Sequence, residues 1–169
     1  METKEYTSVD KSEWERGEWD NEPDKRQWTS RRTRMPCLIV RAPSGHLCGY
    51  VGLTEGHPYF NKSPFDYSMD VSVHGGLTFA AFCDPHPEAE IRGICHIPGP
   101  GEPDRVWWLG FDAGHLAYDD YCPGLDHTMR RLGVKSSVAR EGRYRNFAYM
   151  TGEVESLARQ LRAIAMGGR

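Results

Sequence analysis

One stretch near the end of the chain has an unambiguous helical period. From Glu153 to Met166, the residues Val154, Leu157, Ala158, Leu161, Ile164 and Ala165 fall on one stripe at 3.6-residue spacing. Thr151 is a suitable N-cap, Glu153 and Glu155 suit the positive end of the helix, and Gly167-Gly168 stops it. The remainder is broken into short apolar runs by 18 glycines and 11 prolines, a pattern of turns that argues against a helical bundle. One amphipathic helix and several short strands predict an α+β domain: a mainly antiparallel sheet with the C-terminal helix packed on one face.

The strands can be placed in turn. Cys37-Leu38-Ile39-Val40, a turn at Ala42-Pro43-Ser44-Gly45, and Leu47-Cys48-Gly49-Tyr50-Val51 read as a hairpin. Gly56 to Asp66 reads as an exposed loop. Val71-Ser72-Val73-His74 alternates like a strand, Gly75-Gly76 breaks it, and Leu77 to Phe82 resumes extended structure. Cys83 to Arg105 is Pro- and Gly-rich, with a strand expected at Ile91 to Ile97. Val106 to Phe111 is the strongest strand signal, being aromatic and β-branched at its start.

The 169 residues fit one domain plus an extension, divided at residues 1–35 and 36–169. The extension carries Trp14, Trp19 and Trp28. Disordered tails are poor in aromatics, so it is expected to dock on the body, with a short helix around Lys11 to Gly17. No apolar run approaches the roughly 18 residues of a membrane helix, and METKEYTSVD has no secretory character. The expectation is a cytoplasmic protein with no membrane partner.

Five cysteines without a signal argue against a disulfide framework, and the absence of any Cys-x-x-Cys pair removes the usual zinc ribbon. Cys37, Cys48 and Cys83 are expected as small buried hydrophobes in strands.

The net charge of −3 conceals an uneven distribution. Residues 1–24 hold nine acids and three bases; residues 25–41 hold Lys25, Arg26, Arg31, Arg32, Arg34 and Arg41 with no acid; residues 130–145 hold six bases and one acid. The basic segments suggest a phosphate-binding surface. The competing expectation, favoured by the acidic balance, is that the N-terminal acids fold over them. Nucleic acid is not expected as a partner: no helix-turn-helix, zinc finger or RNA-recognition motif occurs. Nor does a phosphate loop or dinucleotide fingerprint.

Two segments could carry chemistry. In Val73-His74-Gly75-Gly76-Leu77-Thr78-Phe79 and in Trp107-Trp108-Leu109-Gly110-Phe111-Asp112-Ala113-Gly114-His115, a strand delivers a histidine beside glycines, which admit unusual backbone or close approach. A helical turn from Asp112 puts His115 at i+3 on the same face, and His74 completes a metal set of His74, Asp112 and His115. Two imidazoles and a carboxylate suit zinc or another divalent metal. Asp119 or Asp120 then serves as catalytic base for a bound water. His74, Gly75, Gly76, Trp108 and Tyr118 are the expected ligand-binding residues, the aromatics by stacking on a flat ring such as a nucleotide base. The competing structural reading is a satisfied network, in which His74 bonds to Asp112, Asp112 caps a turn and His115 donates to a carbonyl. Cys122 with His115 or His127, and Cys95-His96 beside His86, are poorer sites. His46 and His57 adjoin turn residues and are expected to be solvated.

Pro36-Cys37-Leu38-Ile39-Val40-Arg41, Cys48-Gly49-Tyr50-Val51-Gly52, Gly56-His57-Pro58, His74-Gly75-Gly76-Leu77-Thr78-Phe79 and Trp108-Leu109-Gly110-Phe111-Asp112 with His115 together resemble a family of bacteriophage and prophage hypothetical proteins, over residues 23 to 165. The resemblance implies a phage accessory gene product and carries no activity with it. After His115 the family pattern runs Ala-Gly-Asp, where this chain has Leu116-Ala117-Tyr118-Asp119, so Asp119 is the displaced counterpart of that acid. Besides a small-ligand binding module without turnover, two functions are consistent with all this. One is a small metal-dependent hydrolase acting on a nucleotide-like small molecule. The other is a non-enzymatic anti-defence inhibitor that binds a host protein through its acidic N-terminal arm.

Overall fold

The structure, a computed structural model, describes residues 1–116, 119–134 and 142–167. Six strands form one antiparallel sheet: β1 (Lys4–Tyr6), β2 (Lys25–Thr29), β3 (Pro36–Arg41), β4 (Leu47–Leu53), β5 (Phe79–Phe82) and β6 (Trp107–Asp112). Their order across the sheet is β1-β2-β3-β4-β6-β5. Among the described residues the helices are α1 (Ala89–Arg92), α2 (Pro123–Arg131) and α3 (Phe147–Ala165), with a 3₁₀ turn at Glu18–Asn21. The chain is thus α+β, with the C-terminal helix against one sheet face.

That face is built by alternate strand residues. Cys37 and Ile39 of β3, Val51 and Leu53 of β4, and Leu109 and Phe111 of β6 form one core cluster with Met150, Val154, Leu157 and Leu161 of α3. Each such side chain contributes about 1.5–3 kcal/mol when fully buried. Gly49 lets the helix come this close: a Cβ there would lie 2.5 Å from Val154 Cγ2 and 2.7 Å from Phe111 Cζ. The opposite face carries Leu38, Val40, Tyr50 and Trp108, packed with Val106 under the segment between β5 and β6. Because both faces are covered, Cys37–Val40 reads as an uninterrupted apolar run rather than an alternation.

Helix α3 starts earlier than its stripe suggested. Asn146, not Thr151, is the N-cap, its side chain accepting from Tyr149 N at 2.9 Å. Phe147 and Met150 continue the buried stripe towards the N-terminus, and Thr151 sits inside the helix, bonded to the Phe147 carbonyl at 2.7 Å.

Two expected strands are absent. Val71–His74 pairs with no strand; α3 side chains hold it instead. Gln160 bonds both the N–H and the carbonyl of Ser72, and Glu153 accepts from His74 N at 2.9 Å. Its alternation arises because Val71 and Val73 pack on the helical core. Ile91–Ile97 is likewise not a strand: it contains the end of α1 and an irregular stretch. There the Gln27 amide takes the place of a partner strand, accepting from Ile97 N at 2.9 Å and donating to its carbonyl at 3.0 Å.

The N-terminal extension is woven into the sheet. The β2–β3 ladder runs from Lys25↔Val40 to Thr29↔Pro36, across the expected boundary at residue 35. Residues 11–17 are turns rather than a helix. Trp19 is buried against Tyr121 and Tyr144, and Trp28 donates to Glu155 on α3 at 2.8 Å. The acids fold back as the charge balance suggested. Asp24 and Glu22 pair with the buried Arg41 at 2.7 and 3.1 Å, Glu15 with Arg130, and Glu13 with Arg131. Burial works against the Asp24 carboxylate, but Lys11, the N–H groups of Val9 and Ser8, and Arg41 hold its pKa below the usual value.

Cys83 and Cys95 form a disulfide, against the expectation of isolated thiols; Cys37, Cys48 and Cys122 remain free. The segment after β5 folds back on itself and brings the two Cα atoms to 4.9 Å, a geometry composition does not reveal. Lys25, with no exposed surface, fastens that segment to the sheet by donating to the carbonyls of Ala89 (3.0 Å) and Cys95 (2.6 Å).

Candidate functional site

The antiparallel ladder between β4 and β6 pairs Cys48 with Asp112, so the start of β4 and the end of β6 meet at one edge of the domain. His46, in the turn that joins β3 to β4, therefore stands beside Asp112 and the His115 that follows it. The loop between β4 and β5 delivers His74 to the same place, in a turn closed by Gly76 N to the Val73 carbonyl at 3.1 Å.

Asp112 is the hub of one half. Its Oδ2 accepts from Thr78 Oγ1 at 2.9 Å and its Oδ1 from Gly114 N at 3.0 Å. The same Oδ1 lies 3.5 Å from His115 Nε2 and 4.0 Å from His46 Nε2. Burial opposes the charge on Asp112, but the Thr78 hydroxyl, the Gly114 N–H and the two imidazoles lower its pKa. On the far side of His46, Nδ1 meets Ser44 Oγ at 2.7 Å. Burial lowers the His46 pKa, against the pull of Asp112 and Asp120.

Asp120 is the hub of the other half. Fully buried, its Oδ2 accepts from His74 Nε2 at 2.8 Å and from His115 N at 3.1 Å, and its Oδ1 from Arg145 Nε at 2.9 Å. His74 Nε2 donates to this carboxylate, and His74 Nδ1 lies 3.0 Å from the Tyr149 hydroxyl on its other side. The His74 and His115 rings lie 6.1 Å apart, so the two halves adjoin.

The glycines make room for the rings. A Cβ on Gly75, which has φ +66°, would lie 2.2 Å from His115 Nε2; one on Gly114 would lie 2.7 Å from the His46 ring.

The structure thus brings together His74, Gly75, Asp112, His115 and Asp120 of the expected site. Gly76 adjoins them but faces open space. Asp119 is exposed at φ +65° and enters this neighbourhood through its backbone alone, Arg143 N donating to its carbonyl at 2.6 Å. Trp108 is elsewhere: it is buried against His96 on the sheet face away from α3, and although alternation puts it on the same side of β6 as Asp112, it lies four residues, roughly 13 Å, along the strand. Tyr118 lies outside the described residues. His74 bonds Asp120 rather than Asp112, so neither the expected ligand set nor the expected network has quite the expected partners.

His46 was missed. Its signal lay in the pairing and not in the local sequence: a hairpin turn becomes a site only when another strand ends beside it. Cys122, at the N-cap of α2, also borders the basin, its Sγ 3.8 Å from His46 Nδ1. Burial, reinforced by Asp120 and Asp112, pushes that thiol up to about 11, so it stays protonated near neutral pH and is a poor nucleophile as placed.

Among the described residues, no three or more His, Cys, Asp and Glu side chains form a ready-made metal cage. Nor is any helix among them long and apolar enough to cross a membrane. No family model, curated protein or solved structure matches the chain.

Proposed function

We propose that the protein is a small metal-dependent hydrolase, of the phage accessory class its sequence resembles, whose ion is held by His46, Asp112 and His115. The observation that carries this is the position of Asp112 Oδ1, which faces two imidazole nitrogens at 3.5 and 4.0 Å. Ligands about 2.1 Å from a tetrahedral ion stand roughly 3.3–3.4 Å apart, so the first edge is near that spacing and the second closes by a short movement of His46. Ser44 on the remote nitrogen of His46 supplies the outer hydrogen bond that fixes a ligating imidazole.

In this reading His74 is not a ligand. Its ring is held between Asp120 and Tyr149, which suits transfer of a proton to or from water or a leaving group. A zinc or other divalent ion held there would supply Lewis acidity toward a water and stabilise developing negative charge. Arg145, on the outer oxygen of Asp120, keeps the pair oriented and adds positive charge suited to an anionic, nucleotide-like phosphoester.

The test is elemental analysis of untagged protein beside His46→Ala, His115→Ala and His74→Ala. The expected result is near-stoichiometric metal in wild type, lost in the first two variants and kept in His74→Ala. Phosphoester hydrolysis is expected to disappear in all three. Wild type that takes up no zinc, manganese or iron on reconstitution would overturn the proposal.

A further inference from the structure

The N-terminal acids neutralise Arg41, Arg26 and the bases of α2, yet they leave one set of arginines alone. Arg31, Arg32 and Arg34, in the turn between β2 and β3, and Arg159 and Arg162, one turn apart on α3, are all exposed. None of the five has an ion pair with another described residue. In a chain of net charge −3 this is a concentration of positive charge maintained in spite of the overall balance.

The five surround two adjoining depressions that share Thr29. Arg34 and Arg162 both line a cavity of about 420 Å³, together with Thr33, Thr54, Met35 and Pro103. Arg31, Arg32 and Arg159 line the shallower groove next to it. The two acids at the cavity have other partners: Glu102 binds the N-terminal ammonium and the Thr29 hydroxyl, and Glu55 pairs with Arg105. Arg34 is also held at φ +63°, a left-handed conformation uncommon outside glycine, with its N–H on the Ser30 carbonyl at 2.9 Å. Strain of this kind collects at ligand sites.

We infer that this cavity and its arginine rim form a second binding site, for a nucleoside polyphosphate whose ring system enters the partly apolar cavity while its phosphates lie against the rim. A volume of this size suits one such molecule, and guanidinium forks are the side chains best matched to phosphate oxygens. The site is distinct from the histidine basin. It lies at the Leu53 end of β4 and the basin at the Leu47 end, about 20 Å apart at roughly 3.3 Å per residue.

The test is calorimetric titration of the protein, in the presence of a metal chelator, with ATP, adenosine and a single-stranded oligonucleotide, on wild type, Arg34→Asn and Arg162→Gln. Asn tolerates the left-handed backbone, so Arg34→Asn removes the guanidinium with little change in folding; Arg162→Gln is an exposed helix position that serves if it does not. With the basin kept free of metal by the chelator, ATP is expected to bind wild type, to bind either arginine variant roughly tenfold or more weakly, and to outcompete adenosine. Absence of ATP binding, ATP binding that both arginine variants retain in full, or an oligonucleotide that binds far more tightly than ATP would each overturn the inference. Metal uptake by the basin is read separately, so failure of one proposal leaves the other standing.

Discussion

His74 Nε2 donates to Asp120 Oδ2 at 2.8 Å, and Asp120 takes two further donors, from Arg145 and from the backbone of His115, with no exposed surface of its own. One carboxylate therefore sets the orientation of His74 and ties it to the chain that carries His115. In Asp120→Asn the new NH₂ must face a donor. The buried mismatch is expected to cost about 1–3 kcal/mol in urea unfolding, and the misdirected His74 to lower the proposed hydrolysis by roughly a hundredfold or more. Turnover within a few-fold of wild type in a destabilised variant would mark Asp120 as a structural anchor alone.

Gly75 and Gly76 separate backbone strain from space. Both have positive φ, +66° and +84°, so alanine at either is expected to cost about 1 kcal/mol. At Gly75 alone the added methyl collides with His115 Nε2; at Gly76 it meets nothing within 4 Å. Gly75→Ala should thus lose metal affinity by about tenfold or more while Gly76→Ala keeps it. Equal metal titrations for the two variants would show that Gly75 is not there to seat the imidazole.

Much of this was legible in the sequence, for identifiable reasons. The α3 stripe carries a clear helical period, the β3–β4 hairpin consists of apolar runs bounded by turn residues, and the aromatic run read at Val106–Phe111 forms the strand Trp107–Asp112; each formed. His74, Asp112 and His115 were recognisable because glycines flank them at strand ends. What failed depended on contacts between distant segments. Val71–Val73 alternates because it packs on a helix, a cause indistinguishable from strand pairing at that length. His46 and Cys122 entered the basin only through the register of β4 with β6 and the fold of the segment after it, which no local pattern encodes.

Lys25 gives the stability of the protein an alkaline pH dependence. Burial lowers its pKa from 10.5 to about 8, with Glu90 opposing. Between those values the folded protein holds a neutral amine while the unfolded chain holds an ammonium. The unfolded state then binds more protons, and stability rises with pH across that window. Below about pH 8 both states are charged and the full cost of the buried charge is felt. In guanidinium unfolding from pH 7 to 10, the stability of wild type relative to Lys25→Met is expected to increase with pH. A difference that stays level would show that the amine is not desolvated.

The order of strands in the sheet also has a consequence for assembly in time. β1 to β4 form a meander of neighbours in sequence, whereas Leu53 meets Trp107 only after the whole intervening segment has closed. Non-local pairings of this kind form late, because chain entropy is lost before contacts repay it. His46 belongs to the early meander; Asp112, His115 and Asp120 belong to the late arrivals. A growing or half-collapsed chain therefore has no basin to offer an ion or a substrate, and whatever chemistry resides there switches on only with the last strand.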